Sequence, residues 1–254
     1  MAALLELDNV SVHFAGLKAL TGVSLQARPG EIKAVIGPNG AGKTTLFNVI
    51  SGYVGATGGA ITFQGQRIHG LTPHEIAAKG VRRTFQNGGL FGEMTALENV
   101  LTGLHSQIDS GFTGLLFGTR AARAAEREAV SRARRLLDLV GIGHVADQPA
   151  KDLSGGQQRM VEIVRTLAVD PPLLLLDEPA VGLAPPVRDR LMEIIRRLAG
   201  EEGVSILLIE HAIDLVMKAS DVIVVLNAGQ KIAEGRPEEI RRDRDVLEAY
   251  LGRG

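Results

Sequence analysis

The sequence predicts an α/β fold with a largely parallel, buried sheet and one inserted helical lobe. Three observations predict it. Short apolar runs that read as buried strands alternate with helical patterns along most of the chain. A glycine-rich segment at residues 37–44 joins one such strand to a helix. Between about Phe91 and Lys151 no strand pattern is visible and strong helix formers dominate.

Taken in order, Leu4–Phe14 partly alternates apolar and polar residues and reads as an edge strand. Glu31–Ile36 is a short strand running into the glycine-rich turn, and Lys43–Ser51 is the helix after it. Ala60–Gln64 and Val81–Phe85 are further strands. Thr95 and Glu98 have the spacing of a capping box, which predicts a helix entering Leu97–Leu104. A break at Gly111, Gly114 and Gly118 precedes Thr119–Val140, rich in Ala, Arg, Glu and Leu. Leu173–Leu176 reads as a buried strand and Pro185–Ala199 as a helix with proline in its first turn. Val204–Ile209 and Val222–Leu226 are strands, Gln230–Ala233 a short one, and Pro237–Leu251 a helical tail. The expected organisation is one domain over 1–254, with an α/β core of 1–92 and 152–235, a helical lobe of 93–151 and a tail of 236–254.

Composition excludes several classes. Lys and Arg number 28 against 29 Asp and Glu, so the chain is not a polybasic nucleic-acid binder, and no nucleic-acid partner is expected. The absence of cysteine excludes disulfides and thiolate metal sites. The first residues meet Glu6 and Asp8 and lack a basic stretch, so no secretory signal is expected. No apolar run approaches the roughly 20 residues of a membrane span, so any membrane role must come through partners.

Gly37-Pro38-Asn39-Gly40-Ala41-Gly42-Lys43-Thr44 has the spacing of a phosphate-binding loop, with a strand before it and a helix after it. Glycines let backbone N–H groups curl around phosphate oxygens, and the helix adds its unsatisfied amides. In this pattern Lys43 bridges β- and γ-phosphates and the Thr44 hydroxyl binds Mg²⁺; Thr45 follows as a further nucleotide-binding residue. The buried strand Leu173–Leu176 delivers Asp177 and Glu178 to its C-terminal end, where open α/β sheets bind ligands. Asp177 is the expected Mg²⁺ ligand, directly or through water. Glu178 is the expected base for the attacking water.

Leu153-Ser154-Gly155-Gly156-Gln157 precedes the amphipathic run Met160–Ala168. Ser154 is a good N-cap, and two glycines expose amides at a helix N-terminus. A nucleotide seated on Gly37–Thr44 has no use for this second anion site in the same chain. The economical reading is that it closes over ATP bound to another copy or a homologous subunit. This segment resembles the signature of the ABC ATPase family, and its place between phosphate loop and carboxylate strand is the family's order.

The resemblance covers essentially the whole chain and implies a P-loop NTPase (RecA-like) core with an N-terminal antiparallel β region and the inserted helical lobe. It implies an ATPase with ATP and Mg²⁺, and two cassettes paired head to tail. Gln86 is similar to the family's glutamine that touches Mg²⁺ and the attacking water, and the loop after it couples to membrane subunits. His211 is similar to the residue that senses the γ-phosphate; a neutral imidazole can donate one hydrogen bond and accept another. Phe14 stands where the family stacks adenine, and packing of its strand is an alternative of nearly the same weight. Gly182-Leu183 resembles the loop after the carboxylates, with Ala184 in place of a frequent aspartate. The arginines at 120, 123, 127, 132, 134 and 135, interspersed with Glu126 and Glu128, read as a solvated face.

Arg83-Thr84-Phe85-Gln86, Leu90-Phe91, Met94-Thr95, the insert after Leu104, Ile209-Glu210-His211 and Ala249-Tyr250-Leu251-Gly252 narrow the resemblance. They are similar to the larger ATPase of branched-chain amino-acid importers, and importers of urea or short amides share much of the pattern. The implied partners are a second cassette, two membrane permease subunits and, indirectly, a periplasmic binding protein. The implied location is the cytoplasmic face of a bacterial or archaeal membrane. A lipid-extracting cassette is the nearest rival; a soluble cassette protein acting on ribosomes or DNA, or a nucleotide kinase, fits less of the sequence.

Overall fold

The computed structural model describes residues 2–84, 89–104 and 120–251. They fall into two compact units, Met1–Gln86 with Pro172–Gly254, and Asn87–Pro171.

The first unit holds two sheets. The larger runs β10 (Gln230–Gly235), β9 (Val222–Asn227), β3 (Ile32–Ile36), β8 (Ser205–Ile209), β7 (Leu173–Asp177) and β6 (Val81–Arg83). Every neighbouring pair is parallel except the β9–β10 hairpin at one edge. All five residues of β3, β7 and β8 are buried, which is why these strands read as continuous apolar runs rather than alternating ones. The parallel pairing of β3 with β8 and of β8 with β7 brings three C-terminal strand ends side by side. Helices α1 (Lys43–Ile50), α2 (Pro73–Ala78), α6 (Pro185–Gly200) and α7 (Ile213–Ala219) supply apolar faces; Leu46, Phe47 and Ile50 of α1 and Ile76 of α2 are fully buried.

The second sheet is antiparallel, in the order β2 (Leu17–Ala27), β1 (Leu5–Phe14), β4 (Gly58–Phe63) and β5 (Gln66–Arg67). Here the structure corrects the sequence reading. β1 lies between β2 and β4 and is not an edge strand. Its buried Leu5, Leu7, Val10 and Val12 alternate with exposed residues because one face is covered. β2 escaped the reading because register shifts and Gly22 interrupt its apolar period. The tail consists of two short helices, α8 (Pro237–Ile240) and α9 (Arg244–Leu251).

The second unit contains α3 (Ala96–Leu104), α4 (Arg120–Leu139) and α5 (Gly155–Leu167). The expected capping box forms: the Thr95 N–H donates to Glu98 at 2.8 Å and the Glu98 N–H to Thr95 Oγ1 at 3.1 Å. Asn99, fully buried, holds the entry to α3 by donating to the Phe91 and Thr95 carbonyls, both at 3.0 Å, and accepting from the Phe91 N–H at 2.8 Å. Gly103 is required by packing, since a Cβ there would come within 2.3 Å of the Arg165 carbonyl on α5. The division places α5 with this unit, wider than the 93–151 expected from composition. The reason is the apolar face of α5 (Met160, Val161, Ile163, Val164, Leu167), which is buried. On α4, Arg134 pairs with Asp147 at 2.8 Å and Arg135 with Glu128 at 3.1 Å, all exposed, as a solvated face should be.

Candidate functional site

The glycine-rich loop leaves β3 at Gly37 and enters α1 at Lys43. Gly37, Gly40 and Gly42 have φ of 151°, 79° and 101°, backbone that side-chain-bearing residues rarely adopt. A Cβ on Gly37 would lie 2.1 Å from the Leu226 carbonyl, and one on Gly42 would lie 2.7 Å from that of Ala19. The loop is thus wedged between β9 and β2, while Gly40 faces open space. Pro38 and Thr45 are half-buried, Asn39 and Thr44 exposed, Ala41 buried. No acidic residue occupies the first turn of α1, so its positive end stays uncompensated locally.

The Lys43 ammonium folds back across the loop, donating to Gly37 O at 2.8 Å and Pro38 O at 3.0 Å. Burial pulls its pKa below the ordinary lysine value, while the charges of Glu178 and Asp177 work against that shift. The lysine and both carboxylates therefore share one electrostatic neighbourhood.

Asp177 ends β7 and is only 2% exposed. Its Oδ2 accepts from Arg83 at 2.7 Å, and the same guanidinium donates to Asn48 Oδ1 at 2.7 Å and Ser51 Oγ at 3.1 Å. Arg83 also lies 5.6 Å over the Phe47 ring. The sequence marked Arg83 only as a lineage feature. Its burial against Asp177 could not be foreseen, because β6 and β7 are almost 90 residues apart and meet only through sheet pairing.

Glu178 follows with φ +48°, a left-handed conformation for a side-chain-bearing residue. Its N–H donates to Ile209 O at 2.9 Å, the last rung between β7 and β8. Glu210, buried, follows β8, and the Nε2 of the next residue, His211, lies 2.7 Å from Glu178 Oε1. The structure therefore brings together Gly37–Thr44, Asp177, Glu178 and His211 on three adjacent strand ends. Phe14 is 45% exposed at the tip of the β1–β2 hairpin and is not a core residue. Gln86 lies outside the described residues.

In the second unit Ser154 caps α5: its Oγ accepts from the Gln157 N–H at 3.3 Å, and Gln157 Oε1 accepts from the Ser154 N–H at 2.9 Å. Gln157 thus completes a capping box, a role legible in the Ser154-x-x-Gln157 spacing that the reading of this segment passed over. Leu153 is buried, Gly155 exposed and Gly156 half-buried. Nothing stands within 4 Å of a Cβ built on Gly155, so the helix end is open.

The profile of the ABC transporter family matches residues 20–181, and that of the branched-chain amino acid ATP-binding cassette transporters matches residues 230–254. Over 249 residues the chain is 47% identical to BraF of Pseudomonas aeruginosa, a high-affinity branched-chain amino acid transport ATP-binding protein, covering 98% of each chain. The chain is an ATP-binding cassette of the ABC transporter family. Among solved structures, the cassette resembles the ADP conformation of an ABC transporter cassette with TM-score 0.86 and 36% identity, covering 100% of both chains. It also resembles a dimeric bacterial ABC transporter cassette with TM-score 0.77 and 26% identity, over 92% of this chain and 98% of that one. As a member of this family the cassette binds nucleotide and is an ATPase that drives transport. Among its described residues no helix is long and apolar enough to cross a membrane.

Proposed function

We propose that this cassette powers the import of branched-chain amino acids, hydrolysing ATP at the cytoplasmic face of the membrane for two permease subunits that a periplasmic binding protein supplies. The chemistry rests on one observation, the 2.7 Å contact between Glu178 and His211 beside the phosphate loop. The solute rests on likeness to BraF along nearly the whole chain and on the match at residues 230–254.

In this reading the loop amides from Gly37 to Thr45 receive the phosphates, and Phe14 stacks on the adenine. On binding, the Lys43 ammonium exchanges its bonds to Gly37 O and Pro38 O for phosphate oxygens. Glu178 orients the attacking water and takes its proton, while His211 holds Glu178 and senses the γ-phosphate. Thr44, Asp177 and Gln86 would hold Mg²⁺. Among the described residues no cluster of three or more His, Cys, Asp or Glu could hold a metal by itself. That suits Mg²⁺, which takes one or two carboxylates plus substrate phosphates. When bound, the ion neutralises charge on the transferring phosphoryl group.

Leu153–Gln157 would close over the nucleotide of a second cassette, either another copy or a homologous subunit. Its open, capped helix end supports this, as does the dimeric form of the related cassette. Closure and reopening of the pair would switch the permeases between outward and inward access.

Uptake of labelled leucine, isoleucine and valine in cells lacking the gene tests the proposal. Rescue by the natural chain and failure of Lys43→Ala is the expected result. Undiminished uptake of all three, in cells with no second importer for them, would overturn the solute assignment and direct the assay to urea and short amides.

A further inference from the structure

Glu210 is a carboxylate that none of the steps above uses. It is 2% exposed at the end of β8, among apolar strands. Its Oε1 accepts from the Ala180 N–H at 2.6 Å and its Oε2 from the His211 N–H at 3.1 Å. Burial raises its pKa and these amides oppose that shift.

The positions of those donors matter more than their number. The β7–β8 ladder ends with the Glu178 N–H on Ile209 O. Beyond that rung the strands diverge into two loops, one carrying Ala180 and the other His211. The Glu210 side chain spans the gap and bonds both, one oxygen to each. It acts as an extra rung placed where the backbones can no longer pair. Glu178 sits just before this rung in a left-handed conformation that is strained for a side-chain-bearing residue and persists only where the surroundings enforce it. Hydrogen bonds from backbone amides to a buried carboxylate are among the stronger ones available to do so.

We infer that Glu210 is a positioning residue that locks the loop after Glu178 to the loop bearing His211, and so sets the Glu178–His211 contact. The inference rests on the catalytic reading given to that pair. A glutamine in its place has the same shape but only one accepting oxygen. Its NH₂ group would face either the Ala180 or the His211 N–H, donor against donor, and one loop would be released.

The test combines amide exchange with a double-mutant cycle on the full chain. In the natural protein the Ala180 and His211 amides should exchange slowly, and in Glu210→Gln at least one should exchange about ten-fold faster. The kcat for ATP should fall about ten-fold or more while KM changes less than two-fold. Adding Glu210→Gln to His211→Ala should cost little further activity, because both changes act on one contact. Fast exchange of both amides in the natural chain, or unaltered exchange in Glu210→Gln, would overturn the lock whatever the catalytic roles. Faster exchange with unchanged kcat, or losses that simply multiply in the double variant, would overturn its part in positioning. Full activity in His211→Ala with the exchange results as expected would instead count against the role given to His211.

Discussion

His211 Nε2 stands 2.7 Å from Glu178 Oε1, although 33 residues separate them in sequence. The contact exists because β7 and β8 are parallel neighbours, so the residues just past their C-terminal ends emerge together. If Glu178 takes the proton from water, Glu178→Gln should bind ATP and hydrolyse it about a hundred-fold more slowly or worse. His211→Ala, which removes the partner but leaves the carboxylate, should lose less. Steady-state phosphate release beside equilibrium nucleotide binding separates the two, and hydrolysis by Glu178→Gln at the natural rate refutes the base assignment.

Gly42 has φ +101° and its missing Cβ would meet the Ala19 carbonyl and Leu20 Cδ2 at 2.7 and 2.8 Å. Gly42→Ala must either displace β2 or reshape the loop. Nucleotide affinity should fall about ten-fold, or about 1.4 kcal/mol, while overall secondary structure is kept. Titration with a fluorescent ATP analogue reads this out. Gly40→Ala, with nothing near its Cβ, should cost less despite its own positive φ.

Arg83 holds Asp177 with both side chains more than nine-tenths buried. Arg83→Leu leaves a buried carboxylate without its guanidinium and should destabilise the fold by about 3 kcal/mol. Arg83→Lys keeps the charge but loses the forked geometry that also reaches Asn48 and Ser51. Denaturant melts of the three proteins should rank natural, then Lys, then Leu. Equal midpoints for the natural and Leu proteins would show that the ion pair is dispensable.

Lys33 is 3% exposed and its ammonium donates to Glu234 at 2.6 Å. Burial by itself would raise the Glu234 pKa, but hydrogen bonds from Lys231 and Lys33 and their charges outweigh it and lower the pKa. A carboxyl whose pKa is lower folded than unfolded stabilises the protein above the unfolded value. That contribution disappears as pH falls through the folded value. Glu234→Gln should therefore cost roughly 1.5–3 kcal/mol at neutral pH. The deficit should shrink as pH falls below about 4, the ordinary carboxylate range. Chemical denaturation of both proteins at about pH 7 and about pH 3, below the ordinary carboxylate range, checks the sign; a deficit that does not change with pH contradicts it.

What was legible in the sequence depended on local rules. The loop Gly37–Thr44 announces itself because phosphate binding imposes glycine, lysine and hydroxyl at fixed offsets within one turn. Ser154 announces α5, and Thr95 with Glu98 announces α3, because capping is satisfied within four residues. Continuous apolar runs gave β7 and β8 because strands buried on both faces leave no room for polar residues. The role of Glu210, the Arg83–Asp177 pair, the interior place of β1 and the existence of β2 were decided only by tertiary structure. Each depends on which strands become neighbours, and strand pairing joins residues tens of positions apart with no local spacing to record it. The sequence by itself determined which chemical groups this protein carries and which loops hold them. The tertiary structure decided which of those groups meet, because parallel strands deliver their C-terminal ends to one edge regardless of their separation along the chain.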